Sequence, residues 1–212
     1  VSTETAQISG VTVSGQGEAG APADLVIAHV SIGADAEHIA DAIREVGETA
    51  ARIAAWLRKR GLDPRDVTTT DIGTSARYDD AGHRVVGYHA RHAIQVRCRD
   101  LSGAGSLLAD LTETGGDAVT IDHVTLDIAD RTPLELIARE RAFKDAAQRA
   151  AHYASLAARD LRQVEEISDS PIVQPGPRPL AANRFVAQAA AMPVEAGELT
   201  TTVQVKVRWS WR

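Results

Sequence analysis

Three residue patterns in this 212-residue chain could support chemistry, and each is tested by the spacing it requires. Gly15, Gly17 and Gly20 satisfy G-x-G-x-x-G, a pattern in which backbone N–H groups at a helix N-terminus hold a pyrophosphate. Here Pro22 and a strand-like run follow where that motif needs a helix to open, so the segment reads as a glycine-rich turn. Seven histidines invite a metal reading. His89 and His92 point to opposite faces of a strand, and His83 and His89, on one face, lie about 20 Å apart at ~3.3 Å per residue. Neither H-E-x-x-H nor a carboxylate grouping at ligand spacing occurs, so no metal site is expected. His92 reads as a core-edge residue and His89 as a solvated one. Cys98 is the sole cysteine, which excludes an intrachain disulfide and a multi-cysteine zinc site. It continues an apolar strand face, where a thiol packs rather than reacts. With no G-x-S-x-G elbow and no P-loop, the residues predict no catalytic group and no cofactor.

Charge gives a weaker signal. Arg91, Arg97 and Arg99 share one strand face, and Lys206, Arg208 and Arg212 another. Such stripes read as ordinary wet sheet surface; the sharper reading makes Arg91 and Arg97 contacts for an anion or ligand. The net charge of -6 argues against a dedicated nucleic-acid binder, because neutralising phosphates needs a dense cationic surface. No apolar run approaches the ~18 residues of a membrane span. The first ten residues are too polar for a signal peptide, which predicts a cytoplasmic chain, with an exported or periplasmic mature form as the alternative.

The elements that must position these residues follow from periodicity. Val11 and Val13 start a short strand; Val26, Ala28, Val30 and Ile32 line a second, from Asp24 to Ile32. Asp35 reads as the N-cap of a long helix whose stripe is Ile39, Ile43, Val46, Ala50, Ile53 and Leu57. A Thr-rich strand over 66–79, the turn Asp79-Asp80-Ala81-Gly82 and a strand over 83–99 make a hairpin. Leu101, Leu107, Leu108 and Leu111 predict a short helix ended by Gly115-Gly116. The strand near 118–128 slips its alternation around His123, as a β-bulge would. Thr132-Pro133-Leu134-Glu135 marks a helix start, and the helix runs to about Leu161. Its stripe of Ala138, Ala142, Ala146, Ala150, Ala154 and Ala157 admits a close neighbour. A strand around 163–168 precedes an excursion over 171–193, with four prolines between 171 and 179. Val203, Val205, Val207, Trp209 and Trp211 alternate in the closing strand. The fold class is α+β, in the order β-β-α-β-β-α-β-α-β-β, an antiparallel-rich sheet packed by the long N-terminal helix and the Ala-rich helix. One domain over 10–212 follows an extended or disordered stretch at 1–9.

The order of certain blocks resembles the SIMPL-domain family, which includes bacterial periplasmic immunogenic proteins. These blocks are Val11-Thr-Val-Ser-Gly15-Gln-Gly17-Glu-Ala19, Pro22-Ala-Asp24-Leu-Val-Ile and Gly61-Leu-Asp-Pro-Arg-Asp66-Val-Thr-Thr. Gly87-Tyr88-His-Ala-Arg91, Val96-Arg-Cys-Arg-Asp100-Leu, and Pro193-Val-Glu-Ala-Gly197-Glu continue the likeness. It spans roughly residues 10 to 212. It implies an α+β protein, often exported, linked to stress phenotypes and similar to proteins that form homo-oligomeric rings, with no catalytic residues to carry over. His123-Val-Thr-Leu126 departs from relatives with a phenylalanine there, a change expected to alter only core packing.

The expected function is therefore that of a non-enzymatic, self-assembling protein, stress-protective by resemblance, whose partner is another copy of itself in a ring or cage. Trp209 and Trp211, at the very end of the chain, are either core-edge cover or interface anchors, joined in the second case by Arg208 and Arg212. The alternative is a ligand-binding or enzymatic protein with a site at a subunit junction, lined by the 171–193 excursion with Arg178 and Arg184.

Overall fold

The computed structural model describes residues 10–170 and 197–212. The expected element order is met: β1 (Gly10–Pro22), β2 (Leu25–Ala36), α1 (Ile39–Lys59), β3 (Val67–Tyr78), β4 (Val85–Cys98), α2 (Leu101–Gly115), β5 (Val119–Asp127), α3 (Thr132–Leu156), β6 (Leu161–Ser170) and β7 (Glu198–Trp211). The fold is α+β, and every strand pairing is antiparallel. The strands form two sheets rather than one, β1-β7-β6 and β3-β4-β2-β5. They belong to two compact units, one built from β1, α3, β6 and β7, the other from β2, α1, β3, β4, α2 and β5. The stretch 1–9 and the excursion over 171–193, with Arg178 and Arg184, fall outside the described residues.

In the second unit one face of β2, with Ala28, Val30 and Ile32, meets Ala90, Ile94 and Val96 of β4 under α1 and α2. Val46, Ile53 and Leu57 of α1 and Leu107, Leu108 and Leu111 of α2 close this core. Each such aliphatic side chain contributes about 1.5–3 kcal/mol by leaving water. The start of α1 differs from the periodicity. Asp35 remains in β2, opposite His89, because the β2–β4 ladder continues to Ala36. The helix opens after His38, which is extended and makes no side-chain cap. Its buried face is Ala42, Val46, Thr49, Ile53 and Leu57, while Ile39 and Ile43 are 42% and 52% exposed. The β3–β4 hairpin turns where expected: Asp79 Oδ1 accepts from the N–H groups of His83 and Arg84, and Gly82 takes the positive φ of 72° that glycine tolerates. The bulge is also present. Pairing steps from His29–His123 to Val30–Ile121, leaving Asp122 as the extra residue of β5.

In the first unit the glycine-rich segment is strand, not turn. β1 pairs with β7 without interruption from Gly10 to Pro22. A Cβ at Gly15 would collide with the Ala142 carbonyl oxygen, and one at Gly17 with that of Ala138. The alanine stripe of α3 thus lies on bare glycine backbone, with Ala138, Ala142, Ala146 and Ala150 all 0% exposed. The helix begins at Thr132, whose N–H donates to the Asp130 carboxylate at 2.9 Å, while its N-cap residue, Arg131, makes no side-chain cap. It ends at Leu156 rather than near Leu161, because Ala158 turns the chain at φ 51° and β6 starts at Leu161. Ala157 is consequently exposed.

Candidate functional site on the four-stranded sheet

The face of the four-stranded sheet opposite the α1–α2 core carries the polar constellation of the second unit. The bulge in β5 brings Asp122 to it. Ser31 Oγ donates to Asp122 Oδ2 at 2.5 Å and accepts from Arg91 Nε at 3.0 Å and Nη2 at 2.6 Å. Arg91 Nη2 reaches Asp122 Oδ2 at 3.0 Å, and Nη1 reaches Asp71 Oδ2 at 3.3 Å. Four residues further along β2, Asp35 Oδ1 pairs with His89 Nδ1 at 2.7 Å and Asp35 Oδ2 with Arg77 Nη1 at 2.9 Å. The His89 ring lies over Gly33, where a Cβ would come within 3.0 Å of Cε1. His29 and His123, paired across β2 and β5, stack at 4.1 Å.

This grouping contains serine, histidine and aspartate but not their catalytic arrangement. His89 bonds to Asp35, while the Ser31 oxygen receives two N–H groups from Arg91. A hydroxyl whose lone pairs are so engaged is a poor nucleophile, and the group that accepts its proton is the Arg91-paired Asp122 carboxylate rather than the histidine of a triad. No group of three or more His, Cys, Asp or Glu among the described residues can hold a metal. A concavity of about 510 Å³ opens beside these residues, lined also by Glu45, Asp117 and Thr120.

A second hollow, about 500 Å³, lies at the end of β4 and the start of α2, bordered by Arg60, Arg97, Cys98 and Arg99. Two of its arginines are paired, Arg60 with Asp110 and Arg99 with Asp66, the latter at 2.6 Å. Arg97 Nε is buried without a hydrogen-bond partner among the described residues. Asp100 caps α2: hydrogen bonds from Ser102 and the Gly103 N–H hold its carboxyl below the usual carboxylate range. Burial pushes the Cys98 thiol up, and its Sγ donates to the Asp100 carbonyl at 3.3 Å.

Among the arginines read from the sequence, Arg91 is thus engaged by two carboxylates and a serine, and Arg97 lies apart from it at the second hollow. His89, read as solvated, is half-buried against Asp35. His92 contacts Thr69 Oγ1 at 2.9 Å. Trp209 is 5% exposed and packs on Phe143 of α3 at 6.1 Å; Trp211 is half-buried opposite Leu161. Arg208 faces Glu166 in the ladder, and the Arg212 N–H donates to the Asp160 carbonyl.

The sequence profile of SIMPL, described as a protein of unknown function (DUF541), matches residues 11–209. This chain belongs to the SIMPL family. The 26 kDa periplasmic immunogenic protein of Brucella melitensis is 28% identical over 221 residues, covering 96% of this chain and 85% of that protein. The protein of the same name from Brucella abortus matches over the same shares, also at 28% identity. Uncharacterized protein YggE of Edwardsiella ictaluri is 29% identical over 101 residues, covering 46% of this chain and 42% of that protein. A solved chain of AtUAH in complex with glyoxylate superposes at a TM-score of 0.27 with 13% identity, covering 56% of this chain and 31% of that chain, too little to bear on fold or function. The SIMPL chain described here has no helix long and apolar enough to cross a membrane among its described residues.

Proposed function

We propose that this SIMPL protein acts without catalysis, as a self-assembling protein whose copies join through the edge of the three-stranded sheet. One observation carries this reading: the two edges of that sheet are treated differently. At β1 the edge is occupied from within, because the Gln16 N–H donates to Asp145 Oδ2 at 2.9 Å and the Glu18 carbonyl accepts from Arg141 at 2.5 Å. At β6 the strand pairs, among the described residues, with β7 alone, its side chains are exposed along nearly its whole length, and Val164 and Ile167 are 37% and 57% exposed. An open edge with apolar side chains is a template for another strand. A stress-protective role is part of the same proposal and is supported by the family resemblance alone. The periplasmic names of the Brucella relatives favour the exported form over the cytoplasmic one, a point that fractionation of the native cells decides.

The test is molar mass by light scattering and native mass spectrometry over a hundredfold range of concentration. The expected result is a defined multimer. Val164→Lys with Ile167→Lys should lower its mass while the circular dichroism stays unchanged. A wild-type protein that is monomeric throughout, or a multimer indifferent to these substitutions, would overturn the edge assignment.

A further inference from the structure

Besides the outer edges of β3 and β5, the four-stranded sheet has a short unpaired edge on β2, which differs in charge from β6. β4 pairs with β2 as far as Ala36, whereas β5 pairs only as far as Ile32. Residues 33–36 therefore have a ladder on one side and, among the described residues, no strand on the other. In an antiparallel ladder alternate residues turn both backbone groups to the same side. Two of these four residues consequently present an N–H and a C=O to the lane that β5 vacates. The concavity of about 510 Å³ lies there, lined by Gly33, Ala34 and Asp35, with Asp117 and Ala118 where β5 begins and Glu45 on α1.

The charges of this lane are not balanced. Asp122 is ion-paired with Arg91 and Asp35 with Arg77, and His89 Nδ1 lies at hydrogen-bond distance from Asp35. Glu45 and Asp117 are exposed and have no ion-pair or hydrogen-bond partner among the described residues. An occupant must satisfy backbone groups in an extended geometry and carry positive charge on the side chains that reach Glu45 and Asp117. A small amine would meet the second demand but not the first. An acidic or neutral strand would meet the first but not the second. We infer that residues 33–36 of β2 form a strand-addition site for a short, extended, Lys- or Arg-bearing peptide segment, with Glu45 and Asp117 selecting its charge. With only four residues of ladder, the site suits weak and reversible capture.

The experiment uses the full chain and a fluorescein-labelled, end-blocked Lys-Thr-Lys-Thr-Lys-Thr peptide, read by fluorescence anisotropy at low salt. Saturable binding is expected. Two measurements separate strand addition from loose electrostatic attraction. Methylation of alternate peptide nitrogens, which preserves charge but removes donors, should abolish binding in one of the two possible phases and spare it in the other. Glu45→Gln together with Asp117→Asn should weaken binding about fivefold, the scale of two partly exposed charge pairs. Both substituted residues are exposed, so the fold should be kept; urea unfolding checks this. Absence of saturable binding, or binding indifferent to backbone methylation or to the two substitutions, would overturn the assignment. The β6 substitutions lie in the other unit and should leave this binding unchanged, so the two proposals fail independently.

Discussion

Cys98 lies at the end of β4, packed against the α1–α2 core, with its thiol donating to the Asp100 carbonyl. Burial raises its ionisation above the ordinary thiol range, so little nucleophilic thiolate exists at neutral pH. A thiol reagent at pH 7.5 should label the native protein at least tenfold more slowly than the urea-unfolded chain, and equal rates would refute the burial argument. The unfolded thiol ionises near pH 8.5, the folded one higher. Its contribution to stability is complete below that pH and declines as pH rises toward the folded value. Cys98→Ala should therefore flatten the loss of stability between pH 8 and 10. This residue was legible from its place in an alternating strand. The Ser31–Arg91–Asp122 cluster was not, because its members are 31, 60 and 91 residues apart and pair only once the sheet has formed. A partial signal did exist: the alternation slip at His123 located the bulge, and the bulge is what brings Asp122 to Arg91.

At the scale of elements, β1 and α3 show why a pattern can be seen and its meaning missed. The alanine stripe of α3 signalled a close neighbour. The glycines of β1 read as a turn because residues without side chains give no alternation to register. Each pattern explains the other, but they lie more than 110 positions apart, and only the packed unit joins them. Gly15→Ala and Gly17→Ala place a methyl against helix backbone, which cannot rotate away as a side-chain end can. Overpacking of this kind typically costs about 1–3 kcal/mol and can exceed that where backbone must move. We expect each substitution to lower stability by about 3 kcal/mol in urea titrations. Gly73→Ala, where a Cβ meets nothing within 4 Å, should change it by less than about 1 kcal/mol. A tolerated Gly15→Ala would show that α3 does not sit on β1 as described. The α1 boundary differs from the periodicity for another reason: Asp35 is a good cap residue by type, but ladder pairing with His89 keeps it in the strand.

For the whole molecule, the edge-joining proposal makes the closing strand a link between subunit stability and assembly, with its two tryptophans dividing these roles. Trp209 is already covered within one chain, by Phe143 and the α3 side of the sheet. Its truncation to alanine should cost about 3–5 kcal/mol, a large part of the 5–15 kcal/mol typical of a whole protein. Trp211 is half-buried and lies opposite Leu161, the first residue of β6, so under the edge-joining proposal it stands beside the junction between copies. The two losses differ in their dependence on concentration. Destabilisation of the subunit acts at any dilution, whereas stability gained from association grows with protein concentration by mass action. Melting curves at 1 and 100 µM should therefore separate the two substitutions. For Trp209→Ala, the midpoint should fall by a similar amount at both concentrations. For Trp211→Ala, the deficit against wild type should be small at 1 µM and larger at 100 µM, with unchanged circular dichroism before melting. An identical deficit at both concentrations for Trp211→Ala would return this residue to the core edge of its own sheet and leave β6 to carry assembly without it.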